Sequence, residues 1–310
     1  MIRYLSHKSI DKSKWDECIG NSPQGLVYAL SWYLDIVHPG WEALVKDDYT
    51  AVMPLTGGCR FGVHYLFQPF FAQQLGVFSK DILTPELIRG FFNSIPDKYR
   101  FVEIRLNSSN TLDYSIKKIE YHHDIILDLS RDYPTVQDGY HTNTKRNLSK
   151  ASSHNLRLEK EVSIDRIIAL FRANRGASVS VWRNHEYDVL RHLCAEAISR
   201  GFAFLNGVAD AESGEICCGA LFLRWGGRII FLFSGNNETG KESQAMTFLI
   251  DSVIQDNCNS PVVFDFEGSD DDNLARFYRG FGGSDVTYPS YYCNKLSAFG
   301  KFLLKYWKKL

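Results

Sequence analysis

Apolar and polar positions change period several times along the second half of the chain, and the changes mark out a run of elements. Alternation over 156–162 predicts a strand, and apolar residues at helical spacing over 164–174 and 185–200 predict two helices. Three strand-like runs follow, 202–209, 216–225 and 228–234, with Gly226 and Gly227 forming a two-residue hairpin turn between the last two. A helix over 243–255, an apolar strand over 262–266, a helix over 271–280 and a strand over 286–292 complete the set. The order is strand, two helices, three strands, helix, strand, helix, strand.

The first half repeats this order more loosely. Strands are predicted at 2–6, 41–46, 50–55, 63–67, 101–106 and 123–129, helices at 12–19, 31–37 and 85–94, and a weak turn or helix before the last strand. Two echoes support duplication: FVEIRLNSSN over 101–110 parallels VVFDFEGSDD over 262–271, and Gly57-Gly58 parallels Gly226-Gly227. A polar, basic, helix-like stretch over 135–154 is expected to connect the halves. The expected domains are therefore 1–130 and 131–295, followed by a basic amphipathic helix over 296–310.

Length agrees with two domains, because single cores stop growing near ~250 residues and this chain has 310. Lys and Arg (35) nearly balance Asp and Glu (36), which excludes the strong positive field of a dedicated nucleic-acid binder. Seven cysteines lack metal spacing, and Cys217-Cys218 lie in an apolar run, which suits reduced thiols and a cytoplasmic setting. The opening stretch MIRYLSHKSIDKSKW has no apolar signal core, and no run approaches the ~18 apolar residues of a spanning helix. The tail FGKFLLKYWKKL over 299–310 is basic and amphipathic, so it suits either an anionic membrane surface or docking on its own domain.

The order of elements, met twice, resembles the GNAT acyltransferase fold, and three segments resemble the Fem-type (FemAB-like) peptidyltransferases. YLFQPFFAQQLG over 65–76 is similar to the family's P…QQLG segment. Leu127-Asp128-Leu129, followed by KRNLSKA over 145–151, is similar to its entry into the second domain, and FDFEGS over 264–269 with FYRGFG over 277–282 to its close. Two features depart from the pattern. No heptad segment matches the long helical arm of relatives that use charged transfer RNA. Where a Q/R-x-x-G-x-G/A acetyl-CoA loop would stand, the chain has NETGKE over 237–242, with one glycine in place.

The resemblance implies an α/β (α+β) fold of two tandem GNAT-like domains, each a mixed, mostly antiparallel sheet flanked by helices. It implies an N-acyltransferase that moves an acyl or aminoacyl group from acyl-CoA or aminoacyl-tRNA to an amine of a cell-envelope precursor or similar glycan or peptide. No tightly bound cofactor is expected; the partners implied are a small-molecule or glycopeptide acceptor and, for an aminoacyl donor, tRNA.

In that arrangement the fourth and fifth strands diverge, here 228–234 and 262–266, so Phe233, Ser234, Gly235 and Asn236 would border the donor's carbonyl. The segment 235–242, with Gly240 and Lys241, would open a helix whose free N–H groups suit a phosphate, although Lys241 also reads as a solvated loop lysine. Alternation puts Asp265 and Glu267 on one face as candidate acceptors of the amine's proton. The competing reading is that one of them caps the next helix, a role Ser269 or Asp270 would also fill. Tyr65, Phe67, Gln68, Gln73 and Gln74 form a candidate acceptor wall, or else core packing with satisfied amides. Arg146 and Lys150, one helical turn apart, suit a phosphate or simply a solvated face; Trp182 and Arg183 are candidates to line a cleft between helices.

No metal is expected, because His122, His123 and His185 lack a third ligand at recognisable spacing. A nucleotide-hydrolase reading of GNNETGKE over 235–242 founders on Glu242, which stands where a hydroxyl should meet Mg²⁺. A non-catalytic glycan- or peptide-binding protein with a degenerate donor loop is the remaining alternative.

Overall fold

The computed structural model describes residues 1–112, 119–160, 162–174, 182–268 and 270–296. In chain order the elements are β1 (Ile2–Leu5), α1 (Lys12–Gly20), α2 (Ser31–Val37), β2 (Glu42–Lys46), β3 (Ala51–Leu55), β4 (Gly57–Arg60), β5 (Val63–Phe67), β6 (Phe78–Ser79), α3 (Pro85–Asn93), β7 (Tyr99–Arg105) and β8 (Ile119–Asp128). There follow α4 (Tyr133–Asp138), α5 (Thr142–Ser153), β9 (Leu156–Lys160), α6 (Ile164–Ala173), α7 (Asn184–Ser199), β10 (Ala203–Asp210), β11 (Ile216–Trp225) and β12 (Arg228–Asn236). The last are α8 (Glu238–Glu242), α9 (Ala245–Asn257), β13 (Val263–Asp265), α10 (Asp272–Arg279) and β14 (Ser284–Asn294). The chain divides into two compact units, Met1–His122 together with the return from Thr287, and His123–Val286.

In the first unit β1, β2, β3 and β6 form one antiparallel sheet, while β4, β5, β7 and β14 pair in that order, with β5 and β7 parallel. All five residues of β3 are buried, so its near-continuous apolar run reflects two covered faces rather than alternation. Thr84 caps α3 and Pro85 opens it, and the helix buries Ile88, Phe91 and Phe92. Phe92 stacks on Tyr291 of β14 with centroids 4.3 Å apart.

Gly57 and Gly58 do not repeat the turn made by Gly226 and Gly227. They begin β4, where a Cβ on either would lie 2.6 Å from a tyrosine ring, Tyr99 or Tyr65. The turn of that hairpin is Phe61-Gly62 instead.

In the second unit the order is β8-β13-β12-β11-β10-β9, antiparallel throughout except for the parallel pair β12 and β13. One face packs Phe222, Phe264 and Phe266 against Leu249 and Ile250 of α9 and Tyr278 of α10. Each buried phenylalanine contributes about 2 kcal/mol by the area it removes from water. The stretch 135–154 is two helices, α4 and α5, broken around Gly139, and both belong to the second unit. Asp251 of α9 holds α4 in place by accepting hydrogen bonds from the hydroxyls of Tyr133 and Tyr140. The expected C-terminal helix falls, from residue 297 on, outside the described residues.

Candidate active site

The second unit opens a gap in its own sheet. β12 and β13 pair through Arg228↔Val263, Ile229↔Phe264 and Ile230↔Asp265; beyond Ile230, β12 runs on to Asn236 with no ladder partner on that side among the described residues. Two local causes part the strands. Phe222 stands opposite Phe231 and Leu221 opposite Phe233, so Leu232 is an extra residue, and such a bulge bends and twists its strand. β13 meanwhile ends as Glu267 and Gly268 take left-handed φ of 51° and 56°, after Phe266 N–H has bonded to the Ile125 carbonyl of β8.

Aromatic side chains wall the gap beside β12. Phe233 packs on Phe171 of α6 at 4.8 Å and stacks on Trp182 at 5.5 Å, and Trp182 in turn meets Tyr187 of α7 at 5.4 Å. Asn174, at the end of α6, donates to the Asn236 carbonyl at 3.0 Å. At the tip of β12 lies a cavity of about 280 Å³ lined by Asn236, Gly240, Lys241, Gln244, Thr247 and Phe277 among others. Asn236 Oδ1 is buried there with no hydrogen-bond partner among the described residues. An orphaned buried acceptor costs about 1–3 kcal/mol, which a donor group of a ligand would recover.

The phosphate-binding position differs from the sequence expectation. Gly235 and Asn236 are strand, and 238–242 forms the short helix α8, capped by Asn237, whose Oδ1 accepts from Gly240 N–H at 2.8 Å. Lys241 is exposed and paired with Glu238 at 2.8 Å, as a surface lysine would be. The uncapped helix start is one turn later: Gln244 has φ 61°, and no side chain caps the 13-residue α9. Gln244, Met246 and Thr247 at that end line the cavity, so the free N–H groups and positive pole of α9 suit an anionic group. The same geometry rules out a nucleotide-hydrolase loop, because the glycine that would begin it is paired in a ladder with Gly219.

Asp265 and Glu267 do not share a face, because the left-handed bend at Glu267 breaks the alternation. Asp265 is 1% exposed; its Oδ2 lies 2.6 Å from Arg228 Nη1 and its Oδ1 accepts the Glu267 N–H at 3.0 Å. A third carboxyl, Asp124 of β8, is equally buried and hydrogen-bonded to Asp265. Burial and then the Asp265 charge hold Asp124 well above the usual carboxylate range, so this pair keeps a proton. Desolvation pushes the half-buried Glu267 carboxyl up to about 8. Neither Asp265 nor Glu267 caps α10, since Asp271 does, and Asp270 instead accepts from His123 N–H. Ser269 lies outside the described residues.

Sequence reasoning missed Arg228 and Asp124. The available signal was an aspartate inside each of two apolar strand runs, DIIL over 124–127 and VVFDF over 262–266. Buried charges in such places are paired.

The other candidates are dispersed. Arg146 and Lys150 are exposed on α5, with Arg146 Nη2 donating to Asn143 at 2.6 Å, so they form a solvated face. Arg183 is exposed, and its N–H meets Glu186 in a capping box that starts α7. Tyr65, Phe67, Gln68, Gln73 and Gln74 belong to the first unit. Gln73 and Gln74 are buried there; Gln74 donates to Gln73 at 2.8 Å and accepts from Ser108 N–H at 3.2 Å. Gln68 accepts from Arg105 N–H at 3.0 Å and donates to the Ala72 carbonyl, so these amides fasten the 68–76 segment.

A sheet whose one parallel pair parts beside a bulge, with a helix start facing the opening, defines the GNAT class. Residues 140–278 match the family model described as acetyltransferase (GNAT) domain. The crystal structure of FemX superposes with a TM-score of 0.67 at 10% identity, covering 97% of this chain and 99% of its own. L-PGS from Bacillus licheniformis gives 0.50 at 12% identity, covering 85% and 87%. A tandem GNAT protein from the clavulanic acid biosynthesis pathway gives 0.50 at 10% identity, covering 93% and 98%. No curated protein matches the chain in sequence. The chain has a FemAB-like tandem GNAT fold.

Proposed function

We propose that the second unit transfers an acyl or aminoacyl group from acyl-CoA or aminoacyl-tRNA to an amine of a cell-envelope precursor or similar glycan or peptide. The parting of β12 from β13 carries this reading, because it leaves strand edge free to polarise a carbonyl. The donor's reactive end would enter between Phe231–Asn236 and the end of β13, with its anionic portion at the start of α9. The amine attacks the carbonyl, a C–N bond forms, and the C–S or C–O bond to the carrier breaks. The amine's proton passes to Glu267, whose raised proton affinity suits an acceptor working near neutral pH. The carrier departs as a thiolate or alkoxide and takes that proton from Glu267, which restores the site. Arg228, Asp265 and Asp124 position Glu267 through the bond from its N–H to Asp265.

Thermal-shift titration with short acyl-CoAs and with charged and uncharged tRNA tests the reading. Saturable stabilisation by an acylated donor, reduced in Gly240→Val, is expected. A flat response to every donor would leave a binding protein, a reading favoured by the Lys241–Glu238 pair, which with Glu242 gives α8 a net negative charge unsuited to phosphate.

A further inference from the structure

In the second unit β9 is shorter than the strand it pairs with. Its ladder runs from Leu156↔Asp210 to Lys160↔Asn206, so Ala203–Leu205 of β10 have no strand beside them among the described residues. The Phe202 carbonyl accepts from Arg224 N–H on the β11 side, and alternation then turns the backbone N–H and C=O of Ala203 toward the open side. Around this edge lies a cavity of about 1030 Å³, on the margin of the sheet away from the gap between β12 and β13. Cys194 and Ile198 of α7 line one side of it, and Phe204 with Val253 of α9 the other. Alternate side chains of an added strand would therefore meet apolar surface on both faces.

Two polar side chains in the cavity lack the partners such groups ordinarily have. Asn206 is 6% exposed, and among the described residues its amide makes no hydrogen bond within the protein, which leaves a donor and an acceptor for a ligand. Arg224 lies over the Phe204 ring at 5.4 Å and donates to Asn257 Oδ1, yet no carboxylate pairs with it among the described residues. The Asp256 carboxylate, which also lines the cavity, faces Lys160 at 3.4 Å. A guanidinium held over a ring, with most of its N–H groups open, suits a carboxylate.

We propose that the cavity binds a short extended peptide with apolar side chains and a free C-terminal carboxylate. The peptide adds antiparallel to β10, in the direction of β9, which brings its C-terminal end to Arg224. Its backbone bonds to Ala203, and an amide nearer its start meets Asn206. A fatty acid would reach Arg224 and leave the Ala203 backbone and the Asn206 amide unanswered, whereas a peptide answers all three.

Calorimetric titration of the full chain with acetyl-Leu-Val-Phe, as the free acid and as the C-terminal amide, tests this without any assay of acyl transfer. The blocked N-terminus keeps the probe from serving as an amine substrate. The free acid should bind saturably and about tenfold more tightly than the amide, and Arg224→Gln should erase that difference. Asn206→Leu keeps the size and removes a buried amide, so its Tm should hold or rise while the free acid binds about tenfold more weakly. The proposal is overturned if the free acid does not bind, if Arg224→Gln retains the preference, or if Asn206→Leu binds like wild type or loses thermal stability. It is overturned equally if dodecanoate binds as tightly as the peptide, or if sedimentation shows a dimer of the chain that Arg224→Gln dissociates.

Discussion

Gly219 of β11 and Gly235 of β12 stand directly opposite each other beneath Ile167 of α6. Gly207 of β10 extends the row by pairing with Gly219, and a Cβ there would meet Val162, just ahead of α6. The row lets α6 approach the sheet at backbone distance, and that approach sets Phe171 and Asn174 against Phe233 and Asn236.

The two glycines should respond differently to a methyl group. A Cβ at Gly235 would fall 2.4 Å from the Ile167 carbonyl oxygen and 2.7 Å from the Phe171 nitrogen, both backbone atoms. At Gly219 the nearest atom is the Ile167 side chain at 2.9 Å, which can rotate. Gly235→Ala should cost about 2–3 kcal/mol and Gly219→Ala about 1 kcal/mol or less, read from urea midpoints. Equal effects would mean that α6 shifts as a whole.

Arg228→Gln removes the cation beside Asp265, whose side chain is 2% exposed. An uncompensated buried carboxylate costs roughly 3 kcal/mol, discounted from the upper range because Arg228 itself reaches water. Adding Asp265→Asn should restore part of the loss, so the double variant in a thermodynamic cycle should be more stable than the sum of the singles predicts. Strict additivity would show that the pair is not coupled.

Glu267 releases its proton near pH 8 in the fold and near 4.5 when unfolded. Between those values the native state holds a proton that the unfolded chain has lost. Its contribution to stability is thus fully present below about 4.5 and declines as pH rises toward 8. Glu267→Gln should flatten the stability profile over this window. If Glu267 is the proton acceptor, the transfer rate in wild type should climb to a plateau above pH 8, and Glu267→Gln should lower it about 10²–10⁴-fold. A variant with wild-type rate and profile would remove Glu267 from the chemistry.

Elements of the second half were readable with little error. The strand over 216–225 matches β11, and the helix over 185–200 matches α7 to within a residue. Hydrophobic period and turn chemistry are local, and they act alike in any surrounding. The first half was read less fully because its short strands owe their existence to neighbours: β6 is two residues long and is strand only because β3 lies beside it. The pairing of Gly57 with Gly226 as echoes failed for a related reason, since glycine marks a close approach as readily as a turn.

By itself the sequence determined the order of strands and helices, the position of the β11–β12 turn and the duplicated plan, because period and backbone preference are properties of a few consecutive residues. Tertiary structure alone decided that Asp124 meets Asp265 across 141 positions of chain, that Glu267 turns away from its neighbour's face, and that three glycines align across β10, β11 and β12. Each of these depends on strand register and on the distance between packed layers, which arise only when separate segments compete for the same space.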